Sequence, residues 1–230
     1  MKLTRSTLML AVVAVSGIML LPGCGGSDSS GGSPTTPTSP TAPTTPVVTN
    51  KNPVITSMNI TAFGIQQLTT FQFSAVANDP DGDTVSYAWD VAGNASSAAA
   101  GSIVFSNGGS WTARVTVTDG KGGSATDTRS FVCGTMSGRW TGAFGGWNFV
   151  SNLAQSYTTV TGDYSDELGA GKLDSASANT IDANGNVKLR YKQSVFSDFT
   201  FTGVMDSTGR RITGVVNGSG FVNTPFTMTK

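Results

Sequence analysis

The sequence contains no histidine. That excludes Ser/His/Asp and Cys/His nucleophiles, imidazole zinc sites and any imidazole general base. Glutamate occurs once, at Glu167, and cysteine twice, at Cys24 and Cys133, too few for a disulfide framework. Charge is scarce as well: 12% of residues, with 14 basic groups balancing 14 acidic ones, against ~25% charged in ordinary domains. With no basic excess to neutralise phosphates, nucleic acid is not an expected partner. No glycine-rich loop follows a strand and opens a helix, and no segment beyond residue 50 carries a helical hydrophobic period. What the chain does have is 29 glycines, with Ser and Thr making up about a quarter of it. That is the composition of short strands and turns.

The N-terminus reads as an address. Lys2 and Arg5 precede an apolar run from Leu8 to Leu21, too short for the ~20 residues of a comfortable transmembrane helix but suited to a signal peptide. The run ends in Leu21-Pro22-Gly23-Cys24, which resembles the lipobox of bacterial lipoproteins, with proline where alanine or serine is commoner. The resemblance implies cleavage after residue 23 and lipidation of Cys24. Several acyl chains at ~0.8 kcal/mol per buried CH₂ anchor firmly. Gly25 stands where an aspartate would favour the inner membrane of enteric bacteria, so the expected location is the cell envelope, lipid-anchored, at the outer membrane. Cys133 is then left without a partner, as a buried hydrophobe or as a thiol pairing between molecules.

Residues 24–50 are Gly, Ser, Thr and Pro with almost nothing to form a core, so they read as a linker. Pro34, Pro37, Pro40, Pro43 and Pro46 recur every third residue, the repeat of polyproline II. At ~3.1 Å per residue such a stalk reaches roughly 80 Å.

From residue 51 onward the expected fold class is all-β. Phe71, Phe73, Ala75 and Ala77 alternate with polar or small residues, as do Val85, Tyr87 and Trp89, and later Val115 and Val117; one face of each strand goes inward. Short strands at this spacing suggest a two-sheet sandwich. Asn78-Asp79-Pro80-Asp81-Gly82-Asp83 before Val85-Ser86-Tyr87-Ala88-Trp89-Asp90, together with Ala113 through Gly123, resemble PKD-type immunoglobulin-like domains of bacterial surface and secreted proteins. The match spans residues 51–133 and departs after Trp89-Asp90, where Val91-Ala92-Gly93-Asn94 replaces the usual Phe-Gly-Asp-Gly. The resemblance implies a spacer or recognition module without catalysis of its own.

Residues 134–230 carry a second set of about eight short strands. Asp182-Ala183-Asn184-Gly185-Asn186 and Asp206-Ser207-Thr208-Gly209-Arg210 mark hairpins. A meander of this kind can close into a small antiparallel barrel. Gly138 with Trp140 near its start resembles lipocalin-like or avidin-like barrels, with a flattened sandwich as the competing architecture.

Three groups could carry chemistry. Asp79, Asp81 and Asp83, with Asp119 as a fourth ligand, offer hard oxygens suited to Ca²⁺; the same residues can also form a rigid type I turn, Asp79-Pro80-Asp81-Gly82. Thr84 stands where an EF-hand needs glycine, which excludes that motif. Trp140 and Trp147 are candidate walls of a ligand cavity if the barrel is hollow. Asp163, Asp166 and Glu167 form the best carboxylate cluster, and usually such loop acids are solvated turn residues. The expectation is a non-enzymatic, lipid-anchored binding or adhesion module whose partners are the membrane and a surface carbohydrate or envelope protein. The alternative is a carrier of a small apolar or aromatic ligand in the barrel.

Overall fold

A computed structural model describes residues 48–230 except 168 and 194–196. The signal peptide, Cys24 and the proline-rich stalk lie outside the described residues. Those described contain strands and turns, and no helix.

The first eight strands are β1 (Val54–Ile60), β2 (Phe63–Ile65), β3 (Thr70–Asn78), β4 (Ser86–Val91), β5 (Asn94–Ser96), β6 (Ala100–Val104), β7 (Gly109–Thr118) and β8 (Ser124–Gly134). They form two sheets ordered β1-β3-β6 and β2-β8-β7-β4-β5. Period-two alternation drives Phe71, Phe73 and Ala75 of one sheet against Trp89, Val91, Ala113, Val115, Val117 and Phe131 of the other. Phe73 and Trp89 pack with ring centroids 4.9 Å apart, and the Trp89 indole N–H donates to the Ala98 carbonyl. Cys133 is 1% exposed inside this core, and burial pushes its thiol up to about 11. It is a buried hydrophobe and not a thiol open to other molecules.

The remaining strands are β9 (Gly138–Phe144), β10 (Trp147–Ser156), β11 (Thr159–Asp166), β12 (Gly169–Leu173), β13 (Thr180–Ile181), β14 (Asn186–Gln193), β15 (Phe199–Met205), β16 (Arg211–Gly218) and β17 (Phe221–Thr229). Each long strand pairs antiparallel with its sequence neighbour, and β17 returns to β9. The result is a closed eight-strand antiparallel barrel, with the two-residue β13 bridging β11 and β14. The flattened-sandwich competitor is not what forms, because the β9–β17 pairing leaves no open edge.

The barrel interior is filled. Phe144, Phe149, Tyr164, Tyr191, Phe199, Phe201 and Phe226 belong to one buried cluster, with neighbouring rings 4.9 to 5.9 Å apart. Glycine makes room for them. A Cβ on Gly214 would lie 2.5 Å from the Gly203 Cα and 2.8 Å from the Phe226 ring, so neither facing position tolerates a side chain while that ring occupies its seat.

The sandwich closes one end of this barrel. Ile65, fully buried, belongs to the barrel cluster, and Phe63 and Leu68 pack on it. Strand β2 runs parallel to β8, pairing Phe63 with Val132 and Ile65 with Gly134, just before the chain turns into β9. Gln155, 8% exposed, bolts this seam. Its Oε1 accepts from the Met136 N–H at 2.8 Å, and its Nε2 donates to the carbonyls of Tyr157 at 3.0 Å and Gln66 at 3.4 Å. Gln66 Oε1 in turn accepts from the Gly108 N–H. Replacing Gln155 by Leu orphans these groups, each worth ~1–3 kcal/mol when buried. The expected result is a loss of about 2–4 kcal/mol in denaturant unfolding, with both modules unfolding in one transition; an unchanged midpoint would remove the bolt.

Candidate functional site

The acidic loops lie at one end of the sandwich. Asp79-Pro80-Asp81-Gly82 is the turn read from the sequence: the Gly82 N–H donates to the Asp79 carbonyl at 3.1 Å, and Gly82 takes φ 85°. Asp79 Oδ1 accepts from the Asp81 N–H at 2.8 Å. Asp81 is paired with Lys51, through its main-chain N–H at 2.7 Å and its ammonium at 3.0 Å. Asp83 contacts the Lys121 ammonium at 2.7 Å. Asp119, 5% exposed, accepts from the main-chain N–H groups of Lys121 and Gly123 and from the Asn50 amide.

The four carboxylates named as calcium ligands therefore share one end of the domain but do not converge. Among the described residues no three acidic, cysteine or histidine side chains are grouped to hold a metal. Two lysines occupy the oxygens that an ion would need. The buried Oδ2 of Asp79 has no hydrogen-bond partner.

The two tryptophans are not brought together either. Trp140 is fully buried at the sandwich end of the barrel, its indole N–H donating to the Met136 carbonyl at 2.7 Å and its ring covered by the Lys230 ammonium at 5.4 Å. Trp147 begins β10 at the opposite end, across from Phe144, and is half-buried. Trp140 is core, and the expected cavity wall of Trp140 and Trp147 is corrected to this extent: the two lie at opposite ends of the β9–β10 hairpin and share no site.

Strand alternation separates the third cluster. Asp163 faces outward, accepting from Asn152 through Oδ1 at 2.9 Å. Asp166, three residues on, lies on the inward parity at the barrel rim and accepts from the Tyr164 hydroxyl. The two carboxylates stand on opposite faces of one sheet and cannot flank a common substrate bond.

Sequence reasoning missed the glutamines of the seam. Gln67 and Tyr157 both take left-handed backbone, at φ 61° and 50°, and the Tyr157 N–H donates to Gln67 Oε1 at 2.9 Å. The available signal was parity: Gln155 follows Phe149, Ser151 and Leu153 at inward positions of β10, where an amide must find buried partners.

Several loop carboxylates titrate below the ordinary range. Asp81 is lowered by its hydrogen bond from the Lys51 side chain, Asp119 by that from Asn50, and Asp174 by those from Ser177 and the Ala176 N–H. Their folded values lie under the unfolded ~3.9. The stability they contribute is fully present above that value and is lost as pH falls through the folded values. The melting temperature is expected to be flat from pH 7 to about 5 and to fall below about pH 4; an acid-insensitive midpoint would contradict these pairings.

Comparison with known proteins bears on the sandwich. No curated protein matches the chain. The family model for the PKD domain matches residues 50–133. Among solved structures, the PKD1 domain of Vibrio anguillarum Epp is 34% identical, covering 37% of this chain and 96% of its own, with a TM-score of 0.32. The PKD1 domain of the Vibrio cholerae metalloprotease PrtV is 30% identical, covering 36% of this chain and 98% of its own, with a TM-score of 0.32. A carbohydrate-binding module of the β-sandwich superfamily is 12% identical over 79% of this chain and 91% of its own, with a TM-score of 0.36. Through residues 50–133, the chain belongs to the PKD domain family.

Proposed function

We propose that the protein is a non-catalytic binding module of a bacterial cell envelope, tethered through lipid on Cys24, held off the outer membrane by its stalk, and recognising surface carbohydrate. The observation that carries this reading is the filled barrel bolted to a PKD sandwich. Among the described residues the interior holds a cluster of packed aromatic side chains, which favours recognition by the outer surfaces over the carrier alternative. The opposed orientations of Asp163 and Asp166 remove that pair from a hydrolase reading, and leave Asp166 and Glu167 as the acids that share a surface groove. A fixed joint between the modules suits presentation, since a binding face on either one keeps its orientation to the other.

Two measurements test it. Changing Cys24 to Ser should move the protein from the membrane to the soluble fraction, and unchanged partitioning would remove the anchor. The full chain should co-sediment with insoluble cell-surface polysaccharide. Retention on protease-treated envelopes agrees with carbohydrate recognition, whereas retention abolished by the protease would transfer the partner to an envelope protein.

Calcium is a second reading, favoured by the buried, unpartnered Oδ2 of Asp79. An ion held by Asp79, Asp81, Asp83 and Asp119 would have to displace Lys51 and Lys121 from their carboxylates, and would supply charge compensation at the turn. Calcium is then expected to raise the melting temperature of the wild-type protein but not of Asp79→Asn. No rise in the wild type ends this reading.

A further inference from the structure

We infer that Tyr157 is the stacking platform of a carbohydrate subsite on the outer face of the barrel, where it meets the sandwich. The inference rests on the carbohydrate-binding reading above and adds the place where a sugar sits. Strands β10 and β11 are joined by a two-residue turn, Tyr157-Thr158, since Ser156 pairs with Thr159. In such turns the left-handed position usually falls to glycine or asparagine. Here it falls to tyrosine, at φ 50°, a conformation that bulky side chains avoid. Tyr157 is also 63% exposed, so burial of its ring does not offset the strain.

The turn is held from both sides. The Tyr157 N–H donates to Gln67 Oε1 of the sandwich, and the Tyr157 carbonyl accepts from Gln155 Nε2 of the barrel bolt. A strained aromatic is thus presented to water on a backbone fixed by two modules, in a place where glycine would cost the fold less. Most of the residue lies in water, so packing contributes little to the choice of tyrosine.

The surface beside it supplies a reason for the ring. Directly after the turn, Thr159 and Thr161 of β11, Lys172 of β12, Ser175, and Thr180 of β13 line a groove of about 340 Å³. Hydroxyls and an ammonium along a groove that begins at Thr159, two residues beyond Tyr157 in the chain, match a pyranose chain. The ring C–H face stacks on the aromatic while the sugar hydroxyls exchange hydrogen bonds with the threonines and serine. Lys172 has no salt-bridge partner among the described residues, and it lies between Asp163 and Lys192 in the strand register. Its exposed ammonium, next to the Asp163 carboxylate, can also meet a carboxylate on an acidic sugar.

The test uses the full chain in detergent with three soluble probes: laminarin, xylan and polygalacturonate, measured by affinity electrophoresis and calorimetry. The wild type is expected to bind at least one. Tyr157→Gly should weaken that binding about tenfold or more while its melting temperature holds or rises, because the strain is relieved. Tyr157→Phe should retain binding. If polygalacturonate is the ligand, Lys172→Gln weakens it and added salt does the same; a neutral ligand is insensitive to both. Wild-type affinity in Tyr157→Gly overturns the subsite and leaves the external binding module standing. A marked drop in the melting temperature of Tyr157→Gly assigns the ring to the fold and overturns the subsite as well. A wild type that binds none of the probes overturns the subsite and the carbohydrate reading together.

Discussion

A barrel filled with apolar side chains has two ends, and each must be covered or left facing water. The sandwich covers one of them here. Ile65 is fully buried within the barrel cluster, although it belongs by sequence to the preceding module, and the amide of Gln155 satisfies main-chain groups on both sides of the joint. The remaining features depend on that seal. Trp140 is buried because the seal lies over it, β9 starts where β8 leaves the sandwich, and the Tyr157 turn is held in place by the same glutamines. Buried polar groups joining two modules are costly when half-satisfied and orienting when complete, and the Gln155 side chain is engaged through both its oxygen and its nitrogen.

The local grammar of the fold was legible in the sequence. Phe71, Phe73 and Ala75 alternate inward as expected, Asn184-Gly185 makes its hairpin, and Asp79-Pro80-Asp81-Gly82 makes its turn, because period-two patterning and turn chemistry act over a few residues. Closure of the barrel through β9 and β17, and the parallel pairing of β2 with β8, join segments that no short-range signal links. The site readings failed in the same way. Trp140 and Trp147 are close in sequence yet fall at opposite ends of the barrel, since a strand carries the chain along its axis. Asp163 and Asp166 fall on opposite faces because an odd separation reverses direction across the pleat.

A protein this poor in charge holds its few ions tightly. Asp174 is nearly buried, with the Arg190 and Lys192 side chains 3.8 and 3.3 Å away, and Asp81 and Asp83 are each matched to a lysine. Most loop acids thus serve to fix turns, by accepting main-chain N–H groups or by neutralising a neighbouring cation. Outer surfaces rich in threonine, serine and asparagine remain. Such a surface reads neutral hydroxyl-bearing partners by hydrogen bonding more readily than polyanions by charge.

The parallel pairing of β2 with β8 has a consequence for how the chain is made. Phe63 and Val132 close a long loop, an entropic cost met before their contact returns anything. Synthesis proceeds from the N-terminus, so the sandwich can complete that loop while the barrel strands are still emerging. The barrel is then assembled onto a finished lid, and its aromatic strands spend less time exposed to neighbours with which they could aggregate.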